Sequence, residues 1–457
     1  MTHGPAFNVE LLGCMIDSSV SISWDDPDSI VAANGILRSP DKFTRGTFGN
    51  YPRQTARGDR THFTDDKSIF RAFWNVPNYC EQRYDVKLPL QKFGIEYNSS
   101  GRRSFGDKIT VLGERMIGLY PFIDGDTLEF INGGLPQLAN ITAHLEKATV
   151  DILNYIPDPN FDGIGMIDWE QWVPHMILPK SKYKMYREFS IAHVRNLHPD
   201  WDDATITSVA TLEWMQGARL FLESTVKLAM QLRPKAVWGF YHYPYCPVIR
   251  MDNRTFCDER MVEFNDKLLW MFNETTAMYP SIYIKPSKLR GVDTVIPTLR
   301  EAFRMRELSS DPKGVVLGYT RFNYTDTSYY FTLEDLNATI LTSAEFGTHG
   351  VVFWGSVQDD GNRQTCLELR DYIETALGPT LLMASDGAEA CSSRVCSGHG
   401  RCVGKILSCT GTSRLNRKQP ELNPGQKNWS HSRGHEETFC FCRCFHGWQG
   451  DDCSRPE

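Results

Sequence analysis

Phe161-Asp162-Gly163-Ile164-Gly165-Met166-Ile167-Asp168-Trp169-Glu170-Gln171-Trp172 is an apolar strand that ends in two acids. Side chains alternate along a strand, so positions 168 and 170 point to one side. In a (β/α) barrel that side, at a strand's C-terminal end, is the catalytic mouth. Two carboxylates so close do not both ionise easily; one pKa rises, and that acid can hold a proton near neutral pH. Glycosidic cleavage needs such a group, because the leaving oxygen must be protonated. Taken alone, an Asp-x-Glu after a strand is more often a helix cap or a solvated pair. The two tryptophans shift that balance, since large aromatics beside acids suit a sugar platform, although Trp169 lies on the opposite strand face and suits core equally.

Outward from this strand the pattern repeats. Strand-like runs occur at Ile69 to Pro77, Ile109 to Leu112, Val237 to Tyr241, Ser281 to Ile284, Val315 to Tyr319 and Gly350 to Trp354. Helix-like stretches fall near Gln137 to Tyr155, Asp202 to Leu232, Asn265 to Thr276, Val295 to Glu307 and Leu333 to Phe346. Such alternation predicts an α/β fold with a parallel sheet, most simply a (β/α) TIM-like barrel with room for distortion. A doubly wound sheet is the alternative, and the lack of a phosphate-binding glycine fingerprint after the first strand disfavours it. Residues 1–67 are polar and largely without periodicity, which predicts an N-terminal extension, disordered or misassembled. The catalytic barrel is expected over 68–385 and a small cysteine-rich module over 386–457. A polar insert from Cys409 to Glu437 should form a loop within that module.

The chain has 457 residues, 41% of them hydrophobic, and a net charge of −7. That is an ordinary globular composition, and nothing in it points to nucleic acid. Of 13 cysteines, eight lie between Cys391 and Cys453, which reads as a disulfide-stapled module in an oxidising compartment. Zinc is disfavoured, because Cys440, Cys442 and Cys444 alternate rather than pair at ligand spacing. Seven Asn-x-Ser/Thr sequons, at Asn98, Asn140, Asn253, Asn273, Asn323, Asn337 and Asn428, agree with a secretory route. Met1 to Ser21 lacks the basic start and apolar core of a leader peptide, which points to a truncated or misassembled start. No stretch of about 18 apolar residues is present, so no transmembrane segment is expected.

The stretch DGIGMIDWEQW, with FWNVP and GGLPQ upstream and LRPKAVWGFYHYPYC, YPSIY and GVVFWG downstream, resembles the animal hyaluronidases, glycoside hydrolase family 56. The resemblance runs in order from about Phe70 to Cys453. It implies retaining, substrate-assisted hydrolysis of β-1,4 bonds next to N-acetylhexosamine in hyaluronan, and sometimes in chondroitin. Position by position, Glu170 would be the proton donor and later the base. Asp168 would orient the substrate's acetamido group, whose carbonyl oxygen serves as internal nucleophile. Tyr241 would lie near the reacting sugar, Tyr283 and Trp354 would close the acetamido pocket, and Tyr319 would be a further cleft tyrosine.

The resemblance also implies disulfides Cys80–Cys366 and Cys246–Cys257, and an EGF-like module with Cys391–Cys402, Cys396–Cys442 and Cys444–Cys453. Cys409 and Cys440 are then left to pair with each other, and Cys14 stays odd. It implies a secreted or lysosomal monomer whose partner is a glycosaminoglycan, with no metal and no organic cofactor. One departure stands out: the family places arginine before the proline that follows Trp172, whereas this chain has Val173-Pro174. A missing cation beside the acids would lower activity or shift its pH dependence. That leaves two other readings open, a chondroitin-preferring hydrolase and a weakly active paralogue that binds glycosaminoglycan.

Overall fold

The computed structural model describes residues 69–101, 104–176, 181–285, 289–356, 361–409 and 440–457. The expected extension over 1–67, Cys14, Asn428 and most of the insert after Cys409 lie outside these residues. Seven strands carry the fold: β1 (Arg71–Asn75), β2 (Ile109–Gly113), β3 (Ile164–Asp168), β4 (Val237–Phe240), β5 (Ala277–Met278), β6 (Val315–Thr320) and β7 (Gly350–Trp354). All ladders among them are parallel. One sheet runs β5, β6, β7, β1 and is extended by the short strand Ile95–Tyr97. The other runs β2, β3, β4, and a single parallel bridge, Tyr241 to Tyr279, connects the two.

Between Ile95–Tyr97 and β2 the connection is a side chain. Asn98 donates from Nδ2 to the Ile109 carbonyl at 2.9 Å, and its Oδ1 accepts from the Lys108 and Ile109 amides, each at 2.9 Å. Its amide is thus committed inside the fold at 3% exposure, and Asn323 is buried as well. Among the sequons in the described residues, Asn140, Asn253 and Asn273 are the exposed ones.

The period of two explains the core. One cluster takes alternate residues from every strand: Phe73, Ile109 with Val111, Ile164 with Met166, Val237, Ala277, Val315 with Leu317, and Val352. The intervening residues face helices; Ala72, Trp74, Val351 and Phe353 join one outer cluster, and Leu112, Ile167, Trp238 and Phe240 another. Burial on both faces is why these strands read as continuous apolar runs. Gly350 has φ +145°, and a Cβ there would sit 1.9 Å from the Arg71 carbonyl, so the β1–β7 approach requires glycine.

Helix Asp203–Leu232 follows the expected Asp202 to Leu232, with Asp202 Oδ1 accepting from the Ala204 and Thr205 amides as N-cap. The expected strand at Ser281 to Ile284 is instead one bridge at Ser281, and the regular pairing sits four residues earlier, at Ala277–Met278. A helix over Ser181–Leu197 has no counterpart in the sequence reading. Its buried stripe is Tyr186, Ser190 and Val194, and the serine in the middle hides the apolar period; its Oγ accepts from Gln137 Nε2 at 2.7 Å.

Helix Gly378–Val395 passes through residue 386 without a break and places Leu381, Ala384, Ala388 and Cys391 in the outer cluster that also holds Trp74 and Phe353. Beyond it, Gly400–Val403 pairs antiparallel with Phe441–Cys444. The structure contains the disulfides Cys80–Cys366, Cys246–Cys257, Cys391–Cys402, Cys396–Cys442, Cys409–Cys440 and Cys444–Cys453. The cysteine-rich end is held near the N-terminal end of β6 and the C-terminal end of the helix that precedes it, Gly291–Leu308: Arg443 pairs with Glu307 at 2.9 Å, and Lys313 donates to the Phe445 and Trp448 carbonyls at 3.1 and 2.8 Å. These contacts lie at the opposite ends of the strands from the acids.

Candidate active site

The strand period that fills the interior also selects what lines its C-terminal end. Continuing Ile164 and Met166 gives Asp168, continuing Val237 gives Tyr241, continuing Val315 and Leu317 gives Tyr319, and continuing Val352 gives Trp354. Tyr241, Tyr283 and Trp354 pack on the interior cluster from its rim. Asp168 is half-buried and Glu170 is exposed in the loop that follows β3. The Tyr241 and Tyr319 rings meet edge-on with centroids 5.0 Å apart, and Tyr283 lies 6.3 Å from Tyr319. The structure thus gathers the four sequence-predicted aromatics at one end of the strands, beside both acids.

Their electrostatics tie them together. Burial pushes the Tyr241 phenol well above its ordinary range; the hydroxyls of Tyr283 and Ser281 lie within hydrogen-bonding reach of its oxygen, and the negative charges of Glu170 and Asp168 raise it further. Tyr241 therefore stays protonated beside two acids. Tyr319 is 3% exposed, and its hydroxyl accepts from Asn75 Nδ2 at 2.9 Å.

Three residues near Glu170 escaped the sequence reading. Glu114, just past β2, accepts the Glu170 backbone amide at 3.1 Å, placing a third carboxylate beside the pair. The signal was available, since an acid directly after a barrel strand sits at the same mouth. Tyr183 and Tyr243 are held protonated, first by burial and then by neighbours that include Glu170. Tyr183 belongs to the helix that the serine-interrupted stripe concealed.

The tryptophans are not a sugar platform. Trp169 and Trp172 are 7% and 3% exposed; Trp169 packs on Tyr120 and Phe221 with centroids 4.8 and 5.3 Å away, and Trp172 stacks on Tyr120 and donates to the Pro121 carbonyl at 2.7 Å. They are core between the sheet and its helices, where an apolar face outweighs any benefit of exposure. Val173 packs against the same core, and its carbonyl accepts from Trp214 Nε1 at 3.0 Å.

Behind this layer His144 is fully buried. Its Nδ1 accepts the Leu119 amide at 2.9 Å, and Nε2 lies 2.8 Å from Thr225 Oγ1, whose own proton goes to the Phe221 carbonyl. That network needs the neutral ring with its proton on Nε2. Burial pushes its pKa down to about 4, below the ordinary 6.5. The unfolded chain then binds the extra proton between pH 6.5 and 4, so this contribution is complete above 6.5 and is lost as pH falls through that window, roughly 3 kcal/mol in all. Urea midpoints at pH 7 and pH 4.5 should show the loss, and His144→Asn, which keeps an acceptor and does not titrate, should show a smaller one.

Among the described residues no group of three or more His, Cys, Asp or Glu could hold a metal ion, and no helix is long and apolar enough to cross a membrane.

A sequence profile described as hyaluronidase matches residues 60–457. Human Hyaluronidase-1 is 33% identical over 403 residues, covering 84% of this chain and 92% of that protein. A hyaluronidase of Crotalus adamanteus is 33% identical over 408 residues, 84% of this chain and 90% of that one. Among solved structures, bee venom hyaluronidase in complex with a hyaluronic acid tetramer superposes with TM-score 0.64 at 31% identity, covering 68% of this chain and 98% of the bee chain.

Proposed function

Because the chain belongs to the hyaluronidase family and is a glycoside hydrolase, we propose that it cleaves the β-1,4 bonds next to N-acetylhexosamine in hyaluronan, with retention and with the substrate's acetamido group as nucleophile. The observation that carries this is Tyr241: its phenol lies under the charge of both Glu170 and Asp168 and within hydrogen-bonding reach of Tyr283. One pocket thus offers a proton donor, a half-buried carboxylate and neutral hydroxyls.

In this reading Glu170, exposed in the loop that follows β3, protonates the glycosidic oxygen. Asp168, held at the end of β3, orients the acetamide nitrogen and stabilises positive charge there as its carbonyl oxygen attacks the anomeric carbon. Glu170, now a carboxylate, takes a proton from the water that opens the cyclic intermediate, restoring the configuration. Tyr241, Tyr283 and Trp354 enclose the acetamido group, and the Tyr319 ring supports them. We read the two parallel sheets as parts of one distorted barrel, supported by the interior cluster that draws on all seven strands. The disulfides and exposed sequons support a secreted or lysosomal, glycosylated enzyme, and the last 70 or so residues an EGF-like module. The polymer partner requires no metal in this scheme.

Val173, where the resemblance leads one to expect an arginine, favours a second reading, weak catalysis with retained glycosaminoglycan binding. Purified protein incubated with hyaluronan and with chondroitin from acidic to neutral pH, followed by sizing of the products, decides between them. Shortening of hyaluronan supports the hydrolase; binding without cleavage of either polymer at any pH supports the second reading.

A further inference from the structure

Among the described residues six glycines lie within strands, and at five of them a Cβ would come within 3.0 Å of protein: Gly165 against the Trp238 ring, Gly239 against the Ala277 carbonyl, Gly318 against Ile282, Gly350 against the Arg71 carbonyl and Gly400 against Cys453 Sγ. Gly113, the last residue of β2, is the sixth. A Cβ there would meet nothing within 4 Å among the described residues, and its φ is not positive, so neither crowding nor backbone conformation requires glycine. A strand glycine costs conformational entropy, and the remaining reason for one is room for a molecule that comes close to the backbone. That room faces the acids. Ile109 and Val111 fill the interior, so the period of two turns position 113 inward at the mouth, opposite Asp168 in the β2–β3 ladder. The next residue, Glu114, accepts the Glu170 backbone amide at 3.1 Å. The sheet order β2, β3, β4 puts Gly113 on the flank of Asp168 away from Tyr241.

Resting on the reading that Asp168 holds the acetamide while Glu170 protonates the glycosidic oxygen, we propose that Gly113 keeps open the subsite of the leaving sugar, in hyaluronan a uronic acid joined through its O4. In that reading the acetamido group lies toward Tyr241, Tyr283 and Trp354. The other sugar of the same bond then needs room on the opposite flank of Asp168, beside Glu170, and the bare end of β2 provides it. A side chain at position 113 would narrow the cleft next to the bond being broken and leave the acetamido side as it is. Its effect should therefore depend on the size of the leaving group, a dependence that loss of either acid would not give.

The test compares wild type, Gly113→Ala and Gly113→Leu on hyaluronan and on hyaluronan oligosaccharides that carry fluoride at the anomeric carbon of a terminal hexosamine, where the leaving group needs no sugar subsite. Gly113→Leu should lower kcat/KM on hyaluronan about thirtyfold and on the fluoride less than about threefold; Gly113→Ala should lower it about threefold on hyaluronan and leave the fluoride unchanged. Gly113→Ala should also raise the urea midpoint, because alanine gives up less freedom on folding and its Cβ meets no neighbour. Higher stability combined with a loss confined to the sugar leaving group is a result that a purely structural glycine would not give. Equal losses on the two substrates, no loss from leucine, or a lower midpoint for alanine overturns the assignment. Failure of Gly113→Leu to fold overturns it too, since the open space would then be absent. If wild type cleaves both substrates and the variants behave in one of these ways, only the Gly113 assignment fails; if wild type acts on neither, the catalytic reading fails with it.

Discussion

Replacing Glu170 by glutamine is expected to lower kcat on hyaluronan roughly 10³- to 10⁴-fold while leaving oligosaccharide affinity within a few-fold. The amide has the volume and hydrogen-bonding capacity of the acid but no proton to give and no basic oxygen for the second step. Glu170 is exposed and glutamine keeps its size and shape, so the variant should fold normally, with stability within about 0.5 kcal/mol of wild type. Single-turnover measurements on a substrate with a good leaving group sharpen the result: protonation is then less needed, and the first step should recover more than the second. Activity within tenfold of wild type would remove Glu170 from the proton-donor role and turn attention to Glu114, the carboxylate that already touches its backbone.

Glu114 also marks where the sequence stops being legible. A period-two pattern with both faces buried is visible in a linear string, so β1, β3, β4, β6 and β7 stand within a residue or two of their expected ends. The acids and tyrosines at strand termini follow from the same periodicity and from the resemblance. What a string does not carry is which helix covers which strand. Trp169 and Trp172 flank the acids in sequence, yet their neighbours are Tyr120 and Phe221, from segments about 50 residues away on either side, and that packing decides against exposure. Tyr183 became invisible because Ser190 interrupts the buried face of its helix. In each case tertiary contact settled the role.

Removing the Cys80–Cys366 disulfide should be the most damaging change to stability in the chain. Cys80 sits in the short helix after β1 and Cys366 in the helix after β7, 286 residues apart, and both side chains are buried in one cluster with Trp74 and Phe353. The bond therefore closes the same loop as the five-residue β1–β7 ladder, Arg71 with Gly350 through Asn75 with Trp354. Reducing it restores to the unfolded chain the freedom of nearly the whole sheet system. Chain-entropy arguments put that at about 5 kcal/mol, against about 3 kcal/mol for Cys246–Cys257, which spans 11 residues. Those 11 residues already form a hairpin, Val248–Met251 with Arg254–Cys257, so the shorter bond constrains little that the turn does not. The double alanine variants of the two pairs, unfolded in urea with the other disulfides oxidised, should thus differ by roughly 2–3 kcal/mol, and Cys80→Ala/Cys366→Ala should show a larger m-value as its unfolded state expands. Equal losses would mean that the length of the loop closed in the unfolded chain does not set the stabilisation.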